Sequence, residues 1–145
     1  MSARKILPAL LLILAVWLVV GCGSSSSDPL TKAAFLEQGN EICEEATKQR
    51  DEDLKAATEA SDESGGTEEM ESFVDTALES VEDMAGNLGD LNPPAAQKKE
   101  AEALVSSLDK EVEQLQATPE DAMSEKAFRG SNAAAQSAGL PSCAI

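Results

Sequence analysis

Hydrophobic positions fall into two regimes along the chain. Over residues 6–20 they are continuous, broken only by Pro8, behind a short basic head of Arg4 and Lys5. From residue 32 onward they recur every three or four positions, the repeat of a helix with one buried face. Thr31 suits the N-cap of a first helix over 32–60. Its stripe is Leu36, Cys43, Ala46, Arg50 and Ala57, widened by Phe35, Ile42 and Leu54, and weakened by Gly39 and Arg50. A loop with two glycines is expected at 61–66. Thr67 then suits a cap for a second helix, with acids at 68, 69 and 71 where the helix dipole favours them. Met70, Phe73, Val74, Ala77, Leu78, Val81, Ala85 and Leu88 give this helix the cleanest amphipathic stripe, and Gly89 suits its C-cap.

Asn92-Pro93-Pro94 separates it from a third helix over 95–116, whose buried face is Ala101, Leu104, Val105, Leu108, Val112 and Leu115. Thr118-Pro119-Glu120-Asp121 has the signals of a helix start, and the pattern predicts a fourth helix over 119–138 through Ala122, Phe128 and alanines 133–135. Gly139 suits its C-cap, with Pro141 soon after. No alternating β-branched run occurs. The expected fold class is all-α, an antiparallel four-helix bundle with short connections over 31–145.

The apolar run at 6–20 is short for a membrane span, which needs roughly 18 or more apolar residues. A basic head, an apolar middle and a small-residue site ending in Cys22 form the layout of a secretory signal. Val19-Val20-Gly21-Cys22 resembles the lipobox of bacterial lipoproteins. That resemblance implies a diacylglycerol on the Cys22 thiol, cleavage of residues 1–21 before it, and attachment to the outer face of the bacterial cell membrane. Two or three acyl chains on one residue anchor stably, which one chain does not. Residues 22–30, with four consecutive serines, have the composition of a tether.

Cleavage there leaves 124 of the 145 residues, enough for one small domain. It removes the only Trp and two basic residues, so that 9 basic residues face 27 acidic ones, a net charge of −18. Nucleic acid is a poor ligand for such a surface, because binding it depends on clustered Lys and Arg. An anionic bilayer repels it as well, leaving the lipid on Cys22 as the membrane contact. The acidity concentrates in residues 41–83, with 16 acidic against 3 basic residues.

With Cys22 committed to lipid, Cys43 and Cys143 remain, in an oxidising compartment where pairing is the default. Bundle geometry selects the same pair. A fourth helix of about 20 residues, beside a first of about 29, ends about 14 Å short of its start at 1.5 Å per residue, near residue 40. A short turn then brings Cys143 to Cys43. The two ends of the domain, Leu30-Thr31-Lys32-Ala33-Ala34-Phe35 with Asn40-Glu41-Ile42-Cys43, and Ala138-Gly139-Leu140-Pro141-Ser142-Cys143, are similar to a group of small secreted or lipid-anchored helical proteins of actinobacteria. That resemblance supports the disulfide and the compartment and implies no functional site.

The chain has no histidine, so di-iron bundle ligation and Ser-His-Asp or Cys-His catalysis cannot be assembled. Gly65-Gly66 lacks the Lys-Ser/Thr that completes a phosphate loop. Met70, Met84 and Met123 are expected to fill core or boundary space, and Asn132 and Gln136 to lie on the surface. Neither a cofactor nor a catalytic or metal site is expected. The functional expectation is a non-enzymatic binding or interaction module of the cell envelope, with a protein or envelope component as partner. The alternative is a cation or small-solute binding protein using the acidic 41–83 region, although its acids do not match a calcium loop.

Overall fold

A computed structural model describes residues 28–145 except Gly65. Among the described residues the fold is all-helical, with four helices and no strand: α1 (Lys32–Ser64), α2 (Thr67–Gly89), α3 (Lys98–Ala117) and α4 (Arg129–Ala138). Two single 3-10 turns, Pro119–Asp121 and Pro141–Cys143, precede and follow α4. α1 packs on α2, α2 on α3, and α3 on α4, while the Pro141–Cys143 turn packs on both α1 and α4. No helix among the described residues is long and apolar enough to cross a membrane.

The periodic stripes become the core. α2 buries Phe73, Val74, Leu78, Val81, Met84, Ala85 and Leu88, and α3 buries Ala101, Leu104, Leu108, Val112 and Leu115. Each large apolar side chain taken out of water contributes about 1.5–3 kcal/mol before entropy is counted, so these two helices supply most of the cohesion. α1 adds only Phe35 and Cys43 to the fully buried apolar set; Leu36, Ile42, Ala46, Leu54 and Ala57 pack against it half-buried. Its outer half is therefore the partly exposed segment that Arg50 predicts.

Local signals explain several boundaries. Thr31 caps α1, its Oγ1 accepting the Ala34 N–H at 3.2 Å. At the other end α1 runs through Ser64, four residues past the expected stop, so Asp62 lies in the helix and the connection to α2 is very short. α2 begins at Thr67 itself, with Gly66 in the cap position. It ends without a left-handed glycine: Gly89 is helical, and Asp90 continues in right-handed geometry with its N–H on the Gly86 carbonyl. The third helix starts at Lys98, later than expected, because residues after Pro94 first form a turn closed by the Gln97 N–H on the Pro94 carbonyl at 2.8 Å. Leu30, at the end of the expected tether, donates its N–H to the Asn92 carbonyl at 2.7 Å.

Two glycines hold the tail of the chain in place. Gly139 closes α4 with φ of 77°, where its own N–H reaches the Gln136 carbonyl and the Leu140 N–H reaches the Ala135 carbonyl. That pair of bonds is the Schellman arrangement, and it turns Leu140 into the core. Gly39, in the first quarter of α1, has the opposite reason to be glycine. A Cβ there would stand 2.7 Å from a Leu140 methyl, so the missing side chain is the space that Leu140 fills.

Candidate functional site

The expected fourth helix is half its predicted length, and the reason lies in its own periodicity. α4 buries Ser131, Ala135 and Ala138 on one face, and Phe128 is buried just before it. Extending that face backwards by threes and fours reaches Ser124, Glu125 and Asp121. A continuous helix would carry those polar and acidic groups into the core, at a cost that helix propensity cannot offset. The chain instead crosses 119–127 in successive tight turns, with the N–H groups of Asp121, Ala122, Ser124 and Ala127 each bonded to the carbonyl three residues earlier. Phe128 ends the segment at φ 54°, among the described residues the only non-glycine in left-handed geometry. Such a conformation costs about 1–2 kcal/mol for an L-residue, less than burying the Phe128 ring returns.

Phe128 has no side-chain acceptor with which to cap the helix that follows, and a neighbour does so instead. Glu111 of α3 places Oε1 on the Gly130 N–H at 2.8 Å and Oε2 on the Ser131 N–H at 2.9 Å. One carboxylate thus satisfies two donors that a helix start leaves open, at the end where the dipole favours negative charge. The Ser131 hydroxyl, fully buried, donates to the Phe128 carbonyl at 2.9 Å.

Between α1, α2 and the 122–128 segment lies a cleft of about 380 Å³. Its floor is the α2 stripe from Phe73 to Val81. Arg50 and Leu54 of α1 stand on one side, and Ala122, Met123, Ala127 and Phe128 on the other. Ile145 closes one end, held by Asn132, whose amide accepts the Ile145 N–H at 2.7 Å and donates to its carbonyl at 2.8 Å. Asn132 is therefore a clamp for the last residue of the sequence and not the surface residue its polarity suggests. Met123, expected in the core or at its boundary, is 61% exposed at the rim, while Met84 is fully buried and Met70 half-buried.

Arg50 is the one basic side chain lining this cleft. Burial pushes its pKa below the ordinary guanidinium value, and the adjacent Asp51 charge pushes the other way. Arginine stays protonated at any physiological pH, so the cleft keeps a fixed positive charge. The ion pairs among the described residues, Lys55 with Glu59 and Lys98 with Glu102, are exposed and leave Arg50 out.

Cys43 and Cys143 are joined, with Cα atoms 4.8 Å apart and both residues at most 1% exposed. The route to this pair differs from the one expected. No long fourth helix delivers Cys143; the Gly139 turn and the Pro141–Cys143 turn lay the tail along α1. There the Ser142 N–H bonds to Asn40 Oδ1 at 3.2 Å, and the Ser142 hydroxyl bonds to Glu44 at 3.1 Å. Cys22, the expected lipidation residue, and the expected signal at 1–21 lie outside the described residues. Among the described residues the acids of 41–83 do not gather into a group that could hold a metal ion. Arg50, Phe128, Asn132 and Ile145 were not legible as a group beforehand, since they come from three separated stretches. The one available signal was the polar break in the stripe at residues 121–125.

Comparison with known proteins finds no family model, no curated protein and no solved structure that matches the chain.

Proposed function

We propose that this chain is a lipid-anchored, non-enzymatic binding module on the extracytoplasmic face of a bacterial cell membrane, and that it receives an envelope component in the apolar cleft. In this account residues 1–21 are removed as a signal, Cys22 carries diacylglycerol, and residues 23–30 tether an antiparallel helical bundle near the bilayer. The observation that carries the proposal is the cleft: about 380 Å³ lined mainly by apolar side chains, with one arginine at its side. Its volume falls within the roughly 300–1,000 Å³ typical of small-ligand sites, which are mostly apolar with a few placed polar groups. Its lining holds a hydroxyl, at Ser124, and the exposed carboxylates of Asp51 and Glu125, but no histidine or cysteine. That chemistry suits binding better than turnover.

The direct test uses the full chain recovered from membranes and an uncharged, diazirine-bearing long-chain alcohol. Labelling should saturate and map to α2 between Phe73 and Val81 and to the 122–128 segment. Labelling that never saturates, or that spreads over the acidic helix faces, would refute the cleft as the binding site. The anchor has its own measurement. The intact mass of the membrane-extracted protein should exceed that of residues 22–145 by at least one diacylglyceryl unit.

A further inference from the structure

Resting on the binding site proposed above, the geometry points to a ligand class: a single-chain amphiphile carrying one carboxylate, its hydrocarbon chain on the α2 floor and its carboxylate on the Arg50 guanidinium. Four features of the cleft lead there. Leu54, Ala77, Ala122, Met123 and Ile145 offer partly exposed apolar surface over the buried Phe73, Leu78, Val81 and Phe128, which rewards removal of a hydrocarbon chain from water in proportion to its area. Arg50 stands in that lining half-buried and outside the ion pairs among the described residues. A partly desolvated guanidinium gains most from an anion with two oxygens, because its planar fork matches a carboxylate bidentately.

The acids limit how much negative charge can enter. Asp51 and Glu125 line the same cleft but are exposed, so their fields are screened by water and salt while that of Arg50 is screened less. The chain as a whole carries a net charge of −16. A ligand with several negative charges meets that field with one arginine to offset it; a ligand with one charge and a long apolar chain does not. The fourth feature is the wall. Met123, unbranched and exposed at the rim, can adjust to chains of different length. The Asn132 amide is held in place by Ile145, which engages its oxygen and one of its two N–H groups.

The experiment compares two probes on the membrane-purified full chain in phosphatidylcholine vesicles: diazirine-bearing hexadecanoic acid, and the matching alcohol used above. The acid should saturate at a concentration about tenfold lower than the alcohol, the scale of one charge-assisted hydrogen-bonded contact. Arg50→Met keeps the aliphatic bulk and removes the charge. It should raise the half-saturation of the acid about tenfold, by the same reasoning, and leave the alcohol unchanged. Arg50→Lys, which keeps the charge but not the fork, should restore only part of the preference. Equal saturation by both probes in the native chain, or an Arg50→Met effect that moves both alike, would overturn the carboxylate assignment and leave the cleft as a site for uncharged chains. Saturable labelling of the cleft by neither probe would overturn both the assignment and the binding site on which it rests.

Discussion

Replacing both Cys43 and Cys143 by alanine should lower stability mainly by freeing the unfolded chain. The bond spans a sequence separation of 100 residues, and closing a loop of that length removes unfolded-state entropy worth about 4.7 kcal/mol in the chain-entropy model. The native tail should survive the change. Leu140 remains buried, contributing about 1.5–3 kcal/mol, and the Ser142–Asn40 and Asn132–Ile145 hydrogen bonds do not involve sulfur. The folded structure is therefore largely retained, while a domain of typical net stability, about 5–15 kcal/mol, loses a third or more of it. Urea titration of residues 28–145, followed by far-ultraviolet circular dichroism, reads both halves of this argument. The midpoint should fall by about 2 M, and the slope should rise, because the unlinked unfolded chain exposes more surface. A fall in midpoint with no change in slope would mean that the native state was damaged, and would refute the unfolded-state account. An unchanged midpoint would show that packing alone holds the tail. Both sulfurs are buried, so reduction of the native protein should be slow, paced by opening of the tail.

Other substitutions test the devices around the cleft. Gly39→Ala gains about 0.5–1 kcal/mol of helix propensity but places a methyl 2.7 Å from buried Leu140; repacking should outweigh the gain and leave a net loss of about 1 kcal/mol, read as a lower melting temperature. Glu111→Ala removes both acceptors at the start of α4 and should cost about 1–2 kcal/mol, with faster amide exchange at Gly130 and Ser131; wild-type exchange there would show that the carboxylate is dispensable. Cys22→Ser, checked for cleavage of the signal, should release the protein from the membrane fraction. A processed form that stays bound would sink the lipid anchor.

Much of the architecture was written in spacing. The stripes of α2 and α3 appear in the core almost residue for residue, Thr31 and Gly139 cap where their chemistry suggests, and the half-exposed outer part of α1 was announced by Arg50. The fourth helix shows where spacing fails. Thr118-Pro119-Glu120-Asp121 starts a helix by local criteria, and the 3-10 turn does form there, but it cannot propagate. Local start signals are worth about 1 kcal/mol each, and continuing would bury Asp121, Ser124 and Glu125. Gly39 was read as a weakness in its stripe because its partner, Leu140, is 101 positions away in the sequence.

The sequence by itself determined what depends on neighbours along the chain: helical class, which faces are apolar, the absence of histidine chemistry, and a pair of cysteines available to each other. Only the tertiary structure decided what depends on distant residues meeting. It set the path of the tail over α1, the carboxylate of Glu111 serving as the cap of another helix, and the cleft bounded by α1, α2 and the 122–128 segment. Periodicity reports which face of a helix seeks cover. It does not report which distant element provides that cover, and here α4 is half as long as the pattern predicts.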